Sequence, residues 1–220
     1  SQRREFDRFR IRMLETLPAV DRAIGRLLEA LKDSGRLGNT LIMFASDNGY
    51  QLGEHGLLAK NLPYEESVRI PLVARWDGHI TPGSVDDHVV ANVDLAPTWA
   101  DVAGLVMAGA EGMRMTPLFS RSSIAWRQDL LIEHGKIKGT KIPAFCQIHG
   151  DRYSYVLYGT GEEELYDLET DPYQLSNLAS DPAFASIRNQ YRLRVSLLCL
   201  PQPPGWPIGQ TLVPLGDRRL

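Results

Sequence analysis

Apolar residues near the start of the chain recur at spacings of three and four: Phe6, Phe9, Met13, Leu17, Val20, Ile24, Leu27, Leu28 and Leu31. That period predicts an amphipathic helix. Pro18 falls inside it, either in the first turn of a second helix or as a kink in one long helix. The run DSGRLGNT ends the helix, with Gly35 as its predicted C-terminal cap. TLIMFAS (Thr40–Ser46) is short, apolar and bounded by turn residues, which suits a central strand covered on both faces of an α/β sheet. Helix, turn and buried strand make half of a βαβ unit. IPLVARW (Ile70–Trp76) reads as a second buried strand. HVVANVDLAPTWADVAGL starts extended, turns helical near Asp94–Pro97 and stops near Gly104. The residues from Val106 to Gln128 show no clear period, and a subdomain boundary is expected near Ser120–Arg127.

Beyond that point the pattern changes. DLLIEHG, AFCQIHG, RYSYVLYG and EEELYDLE are short strand-like pieces separated by glycine-containing turns. A last helix comes after them, with Phe184, Ile187, Tyr191, Val195 and Leu198 on one face, Asp181 as N-cap and Pro182 at its first position. The expected division is 1–122, 123–200 and a Pro/Gly-rich tail at 201–220 that lies along the surface or moves.

Composition narrows the function classes. Hydrophobic residues make up 43% and charged residues 23%, the balance of a globular chain rather than a disordered one. A net charge of -3 argues against nucleic-acid binding, which needs a basic face. No apolar run approaches a membrane span, so no membrane partner is expected. The first residues are charged throughout and lack the apolar core of a signal peptide. The chain does not open on Met, which leaves the native terminus, and with it the compartment, open. Cys146 and Cys199 are far apart and form no zinc pattern or disulfide framework, so two buried or half-buried thiols are expected. Oligomeric state is not legible.

The chemistry concentrates in SDNGYQLGEHGLLAKNLPYEES, Ser46 to Ser67. Asp47 and Asn48 come directly after the strand TLIMFAS, and ligands of α/β sheets gather at the carboxyl ends of strands. Together they offer a carboxylate and an amide oxygen, the ligands that hard divalent cations prefer. Alone, D-N-G is also a common turn. Glu54 and His55 lie between glycines, and His55 can exchange a proton with a leaving-group oxygen or be satisfied by local backbone. Lys60 can clamp an oxyanion or be a solvated surface lysine. YEESVR opens a helix or turn, with Glu65 and Glu66 near its N-terminus.

Taken together, LIMFASDNGYQLGEHGLLAKNLPYEESVRIPLVAR resembles a sulfatase segment with a D-N-G metal turn, a G-E-H-G bend, a lysine and Y-E-E-S-x-R-x-P-L. NVDLAPTWADVAGL is similar to the family's D-L-A-P-T segment, and ELYDLETDPYQLSNLASDP to its C-terminal signature. The likeness runs from about Ala19 to Leu198. It implies a partial alkaline-phosphatase-like α/β/α core over 1–122, then a small C-terminal antiparallel sheet with a packed helix over 123–200. It also implies hydrolysis of sulfate esters, with sulfated sugars the favoured class, by a calcium-dependent formylglycine mechanism. Residue by residue, it places Asp47 and Asn48 on calcium and Lys60 on the sulfate. His55 falls beside the substrate and the reacting bond.

The chain departs from the family at two points. The formylglycine motif, C-x-P-x-R or S-x-P-x-R, does not occur in these 220 residues, and neither does the acidic pair that completes the calcium site. His149 and Gly150 stand where relatives often carry Arg-Thr. The isolated chain is therefore expected to be inactive. An inactive remnant or interaction module, or a piece of a phosphodiesterase or phosphonate monoester hydrolase, are the alternative readings.

Overall fold

In the computed structural model, which describes residues 2–120 and 124–207, the chain order is α1 (Gln2–Asp33), β1 (Ile42–Ala45), β2 (Gln51–Leu52), β3 (Leu58–Ala59), α2 (Glu65–Val68), β4 (Leu72–Arg75), α3 (Leu95–Val102), β5 (Asp129–His134), β6 (Phe145–Gly150), β7 (Tyr153–Tyr158), β8 (Glu163–Asp167) and α4 (Ala185–Leu198). Two compact units emerge: Ser1–Lys60 with Arg69–Ala125, and Asn61–Val68 with Trp126–Leu220. The expected break at 122/123 falls on residues 121–123, outside the described residues, as does most of the expected tail, 208–220.

In the first unit α1 is one helix with Pro18 inside it, so the two-helix alternative is set aside. Gly35 caps it at φ 68°, donating to Lys32 O while Arg36 N–H reaches Leu31 O. The predicted apolar face divides. Phe6, Phe9, Ile24, Leu28 and Leu31 are partly buried, whereas Met13, Leu17, Val20 and Leu27 face solvent. β1 pairs antiparallel with β4, with Phe44 opposite Val73, and not with a parallel βαβ neighbour. Trp99 of α3 donates its indole N–H to Met43 Sδ. Successive strand residues point to opposite faces, and on the other face Phe44 and Val73 are 42% and 61% exposed. The expectation of strands covered on both faces therefore fails within this unit.

D-L-A-P-T has a structural task. Asp94 is fully buried and accepts Ala91 N–H at 2.8 Å and Met113 N–H at 2.7 Å. Thr98 Oγ1 donates to Asp94 O and accepts Met115 N–H. A Cβ on Gly112 would collide with Val93 O, so glycine is required there. Asp94→Ala strips the Ala91 and Met113 N–H groups of their side-chain acceptor and is expected to cost about 2 kcal/mol, read as a fall in urea midpoint at unchanged slope.

In the second unit β5-β6-β7-β8 form an antiparallel sheet in sequence order. One face carries Cys146, Ile148, Tyr155, Leu157 and Leu165, packed against Val195, Tyr191 and Ile187 of the last helix. Asp181 caps a short 3-10 turn (Pro182–Phe184) before α4, accepting Ala183 N–H. Leu198, expected on the buried face, is exposed, and Cys199 takes that place. Cys199 is bonded to Cys146, with Cα atoms 6.3 Å apart. The two-thiol expectation is thus corrected: α4 brings its C-terminal end onto β6, and two buried sulfurs meet.

The other face of this sheet is covered by 61–68, which explains its polar lining. Buried Gln147 donates to Pro63 O at 3.0 Å and to Ser154 Oγ at 2.8 Å. Gln174 accepts Glu65 N–H at 2.7 Å, and His149 Nε2 pairs with the Glu65 carboxylate. Glu164 accepts the hydroxyls of Tyr64, Tyr158 and Tyr166. Burial first, then the Glu164 charge, pushes Tyr64 up to about 12 and Tyr158 and Tyr166 upward as well. Burial, reinforced by Glu163, does the same to Tyr155. The folded unit then holds these protons longer than the unfolded chain. Their stabilising contribution, full below pH of about 10, falls away as pH rises toward 12. A urea series between those values should show a declining midpoint, and Tyr64→Phe should flatten it.

Candidate functional site

The D-N-G turn begins where β1 ends. Asp47 is exposed and Asn48 half-buried. Asp47 Oδ1 accepts the Asn48 N–H at 2.9 Å, a local contact within the turn. Ser46 Oγ donates to Asn48 O at 2.8 Å, and Asn48 Nδ2 to Gly49 O at 2.7 Å. The Asn48 amide is thereby oriented with its nitrogen occupied locally and its Oδ1 directed elsewhere.

The chain then folds back as a hairpin. Gln51 pairs with Ala59 and Leu52 with Leu58. Gly53 N–H donates to Leu57 O, and the Glu54 carboxylate accepts Leu52 N–H, so Glu54 braces the bend instead of reaching outward. Gly53 sits at φ 120° with the Phe6 ring 3.3 Å from where a Cβ would stand. The conformation strains any other residue there, and a Cβ would crowd the Phe6 ring. His55, half-buried, occupies the tip at φ 52°. Tyr50 stacks on Phe9 of α1, centroids 5.6 Å apart.

The register has a direct consequence. With Gln51 opposite Ala59, the next residues outward are Tyr50 and Lys60, so the hairpin returns Lys60 to the D-N-G turn. Lys60 Nζ donates to Asn48 Oδ1 at 3.3 Å. Of the four predicted site residues, Asp47, Asn48 and Lys60 thus gather at the hairpin base, and His55 stands at its tip.

The donor set fits a hard cation in part. Asn48 Oδ1 already faces a cation, the Lys60 ammonium, and the neighbouring Asp47 carboxylate is open to solvent. One carboxylate and one amide oxygen supply two of the six to eight oxygen ligands that calcium takes. An ammonium beside them can offset the charge of an oxyanion.

Residues 53–199 match the family described as N-sulphoglucosamine sulphohydrolase, C-terminal. The chain belongs to the sulfatase family. The N-acetylglucosamine-6-O-sulfatase of Bacteroides thetaiotaomicron is 34% identical over 186 residues, covering 78% of this chain and 32% of that protein. The N-acetylglucosamine-6-sulfatase of Capra hircus is 32% identical over 222 residues, covering 84% and 39%. A structure solved in complex with its substrate D-glucosamine-2-N,6-O-disulfate superposes with a TM-score of 0.79 at 30% identity, covering 84% of this chain and 39% of that one. The phosphonate monoester hydrolase of Agrobacterium radiobacter superposes at 0.71 and 30% identity, covering 80% and 38%. This sulfatase chain therefore has an alkaline-phosphatase-like α/β fold and spans about a third of the length of the curated relatives it matches.

Sequence reasoning missed the hairpin, because its strands are two residues each and lack an alternating pattern. The glycines at 53 and 56 were its available signal. It also missed that 61–68 folds with the second unit.

Proposed function

We propose that this chain is the C-terminal part of a calcium-dependent sulfatase acting on sulfate esters of sugars. Residues 1–122 then belong to the catalytic α/β domain and 123–200 to the sheet-and-helix subdomain. The observation that carries this reading is the Lys60–Asn48 contact, which seats a fixed positive charge on the metal-type turn. The sugar class is supported by the N-acetylglucosamine-6-sulfatases and by the neighbour bound to a disulfated glucosamine.

In this mechanism Asp47 and Asn48 would hold calcium, which would draw charge from the sulfate oxygens. Lys60 binds another sulfate oxygen and keeps the ester oriented. His55 supplies the proton that the departing sugar oxygen takes up. The family's formylglycine nucleophile has no counterpart motif in these residues, so it reaches the site from sequence outside them.

The test is hydrolysis of glucosamine 6-sulfate and of an aryl sulfate, with calcium, by the chain alone and by the chain joined to a sulfatase N-terminal region carrying the motif. No turnover alone and calcium-dependent turnover when joined are expected. Turnover by the isolated chain would refute the assignment of roles. The likeness to a phosphonate monoester hydrolase supports a second reading. Preference for a phenylphosphonate monoester over both sulfates would establish it.

A further inference from the structure

Glu133, Cys146 and Cys199 converge near the end of β5. Each offers one ligand atom, and the three atoms lie within 4.8 Å of one another. The sheet register explains the meeting. Glu133 of β5 stands directly opposite Cys146 of β6, and residues opposite each other share a face. The end of α4 delivers Cys199 to that same face. The face is otherwise apolar, with Leu131, Ile148, Tyr155, Leu157 and Leu165 on it. An exposed carboxylate beside two fully buried sulfurs is the exception. No sequence spacing announces this set, because the register and the helix bring it together.

The cluster has two chemical states. Oxidised, the sulfurs are bonded to each other and are poor ligands. Reduced, they are two thiols, and two thiolates with a carboxylate are ligand types that zinc takes. Two sulfurs on one tetrahedral zinc, each at about 2.3 Å, stand about 3.8 Å apart, so the ligand atoms already lie close to the spacing zinc needs. We propose that Cys146, Cys199 and Glu133 form a zinc site when the pair is reduced. The end of α4 is then stapled to β6 by a disulfide under oxidising conditions and by zinc under reducing ones. A dithiol reductant gives the bond two electrons and two protons, leaving two Cys thiols and ending as a cyclic disulfide itself. Zinc then displaces both thiol protons to solvent and gains two Zn–S bonds and one Zn–O bond to Glu133, with no further electron moved. The exposed Glu133 side leaves the fourth zinc position to water. The segment after Cys199 guards the other side. Lys136 N–H donates to Pro204 O at 2.7 Å, and Trp206 packs against the sulfur-bearing core. Metal therefore enters as the unit folds. The site uses none of Asp47, Asn48 and Lys60 and is independent of the sulfatase reading.

The test unfolds the whole chain in urea with a dithiol and refolds it with cobalt, a spectroscopic stand-in for zinc, or with zinc itself. A thiolate-to-cobalt charge-transfer band should appear and saturate at about one cobalt per chain. Zinc should displace it, and calcium, which thiolates do not favour, should not produce or disturb it. Refolding into zinc at pH of about 7 should release about two protons per chain. Zinc should also raise the urea midpoint of the reduced chain. The chain refolded with its bond formed should give no band. Cys146→Ser should weaken cobalt binding by about a hundredfold or more, and Glu133→Gln by about tenfold. With the bond formed, Glu133→Gln should leave the urea midpoint nearly unchanged, because the residue is exposed. Asp47→Ala should leave the band as it is. A reduced chain without a band overturns the proposal. So does a band of equal strength in Cys146→Ser, an affinity indifferent to Glu133→Gln, or a reduced chain whose urea midpoint is the same with and without zinc.

Discussion

Asp47→Ala, in the chain joined to a nucleophile-bearing sulfatase half, is expected to lower kcat/KM for glucosamine 6-sulfate by about a thousandfold. Asp47 is the one carboxylate on the D-N-G turn. It is exposed, so the loss cannot come from an emptied core. In the turn its carboxylate accepts the Asn48 N–H at 2.9 Å and the Ser46 hydroxyl at 3.5 Å, both at the exposed surface, and stability should change by less than about 1 kcal/mol. Asp47→Asn separates the two tasks. It keeps an acceptor for the Asn48 N–H and removes the charge, so the fold should hold while the calcium requirement rises. Lys60→Ala should cost about a hundredfold, because the sulfate loses one of its counter-charges and keeps the metal. Steady-state kinetics against calcium concentration separates the cases. Asp47→Ala raises the calcium requirement, and Lys60→Ala does not.

Removing the disulfide carries the largest expected stability effect. Cys146 and Cys199 are 53 residues apart and fully buried, joining β6 to the end of α4. Closing a loop of that length constrains the unfolded chain by about 4 kcal/mol in the chain-entropy description. Cys146→Ala with Cys199→Ala should lower the unfolding free energy of the second unit by that much, read as a fall in its urea midpoint. The first unit should be unaffected, which the hydrogen exchange of β1 and β4 can report. Reductant alone should act slowly on the folded protein, since both sulfurs are inaccessible. An unchanged midpoint in the double variant would contradict the role given to the bond.

The second sheet was legible because its strands are short strand-like pieces set off by glycine-containing turns: β5 to β8 fall within the four pieces read from the pattern. The last helix was legible too, except at its end. There Leu198 and Cys199 compete for one buried position, and the bond decides the outcome. A separation of 53 residues leaves no spacing signal for that pairing. The burial of Gln147 and Ser154 was invisible for a different reason. Polar residues on a strand read as solvent-facing, and only contact with 61–68 shows why they are inside. β1 and β4 show the opposite failure. Their apolar pattern asks for cover on both faces, and the covering residues are not supplied by the unit that contains them. At the site, the residue types were legible and their grouping was not. The short hairpin, which brings Lys60 to Asn48 and carries His55 at its tip, depends on glycine conformations and a Glu54 brace.

The most direct test of the metal site is a calcium titration of the isolated chain, read from its amide resonances. Two ligands make a weak site, so a Kd of about 1 mM is expected, with shifts confined to Asp47, Asn48, Gly49 and Lys60 and abolished by Asp47→Ala. Calcium that leaves those four resonances unmoved, or moves them equally in the Asp47→Ala variant, would contradict the placement of the metal on this turn.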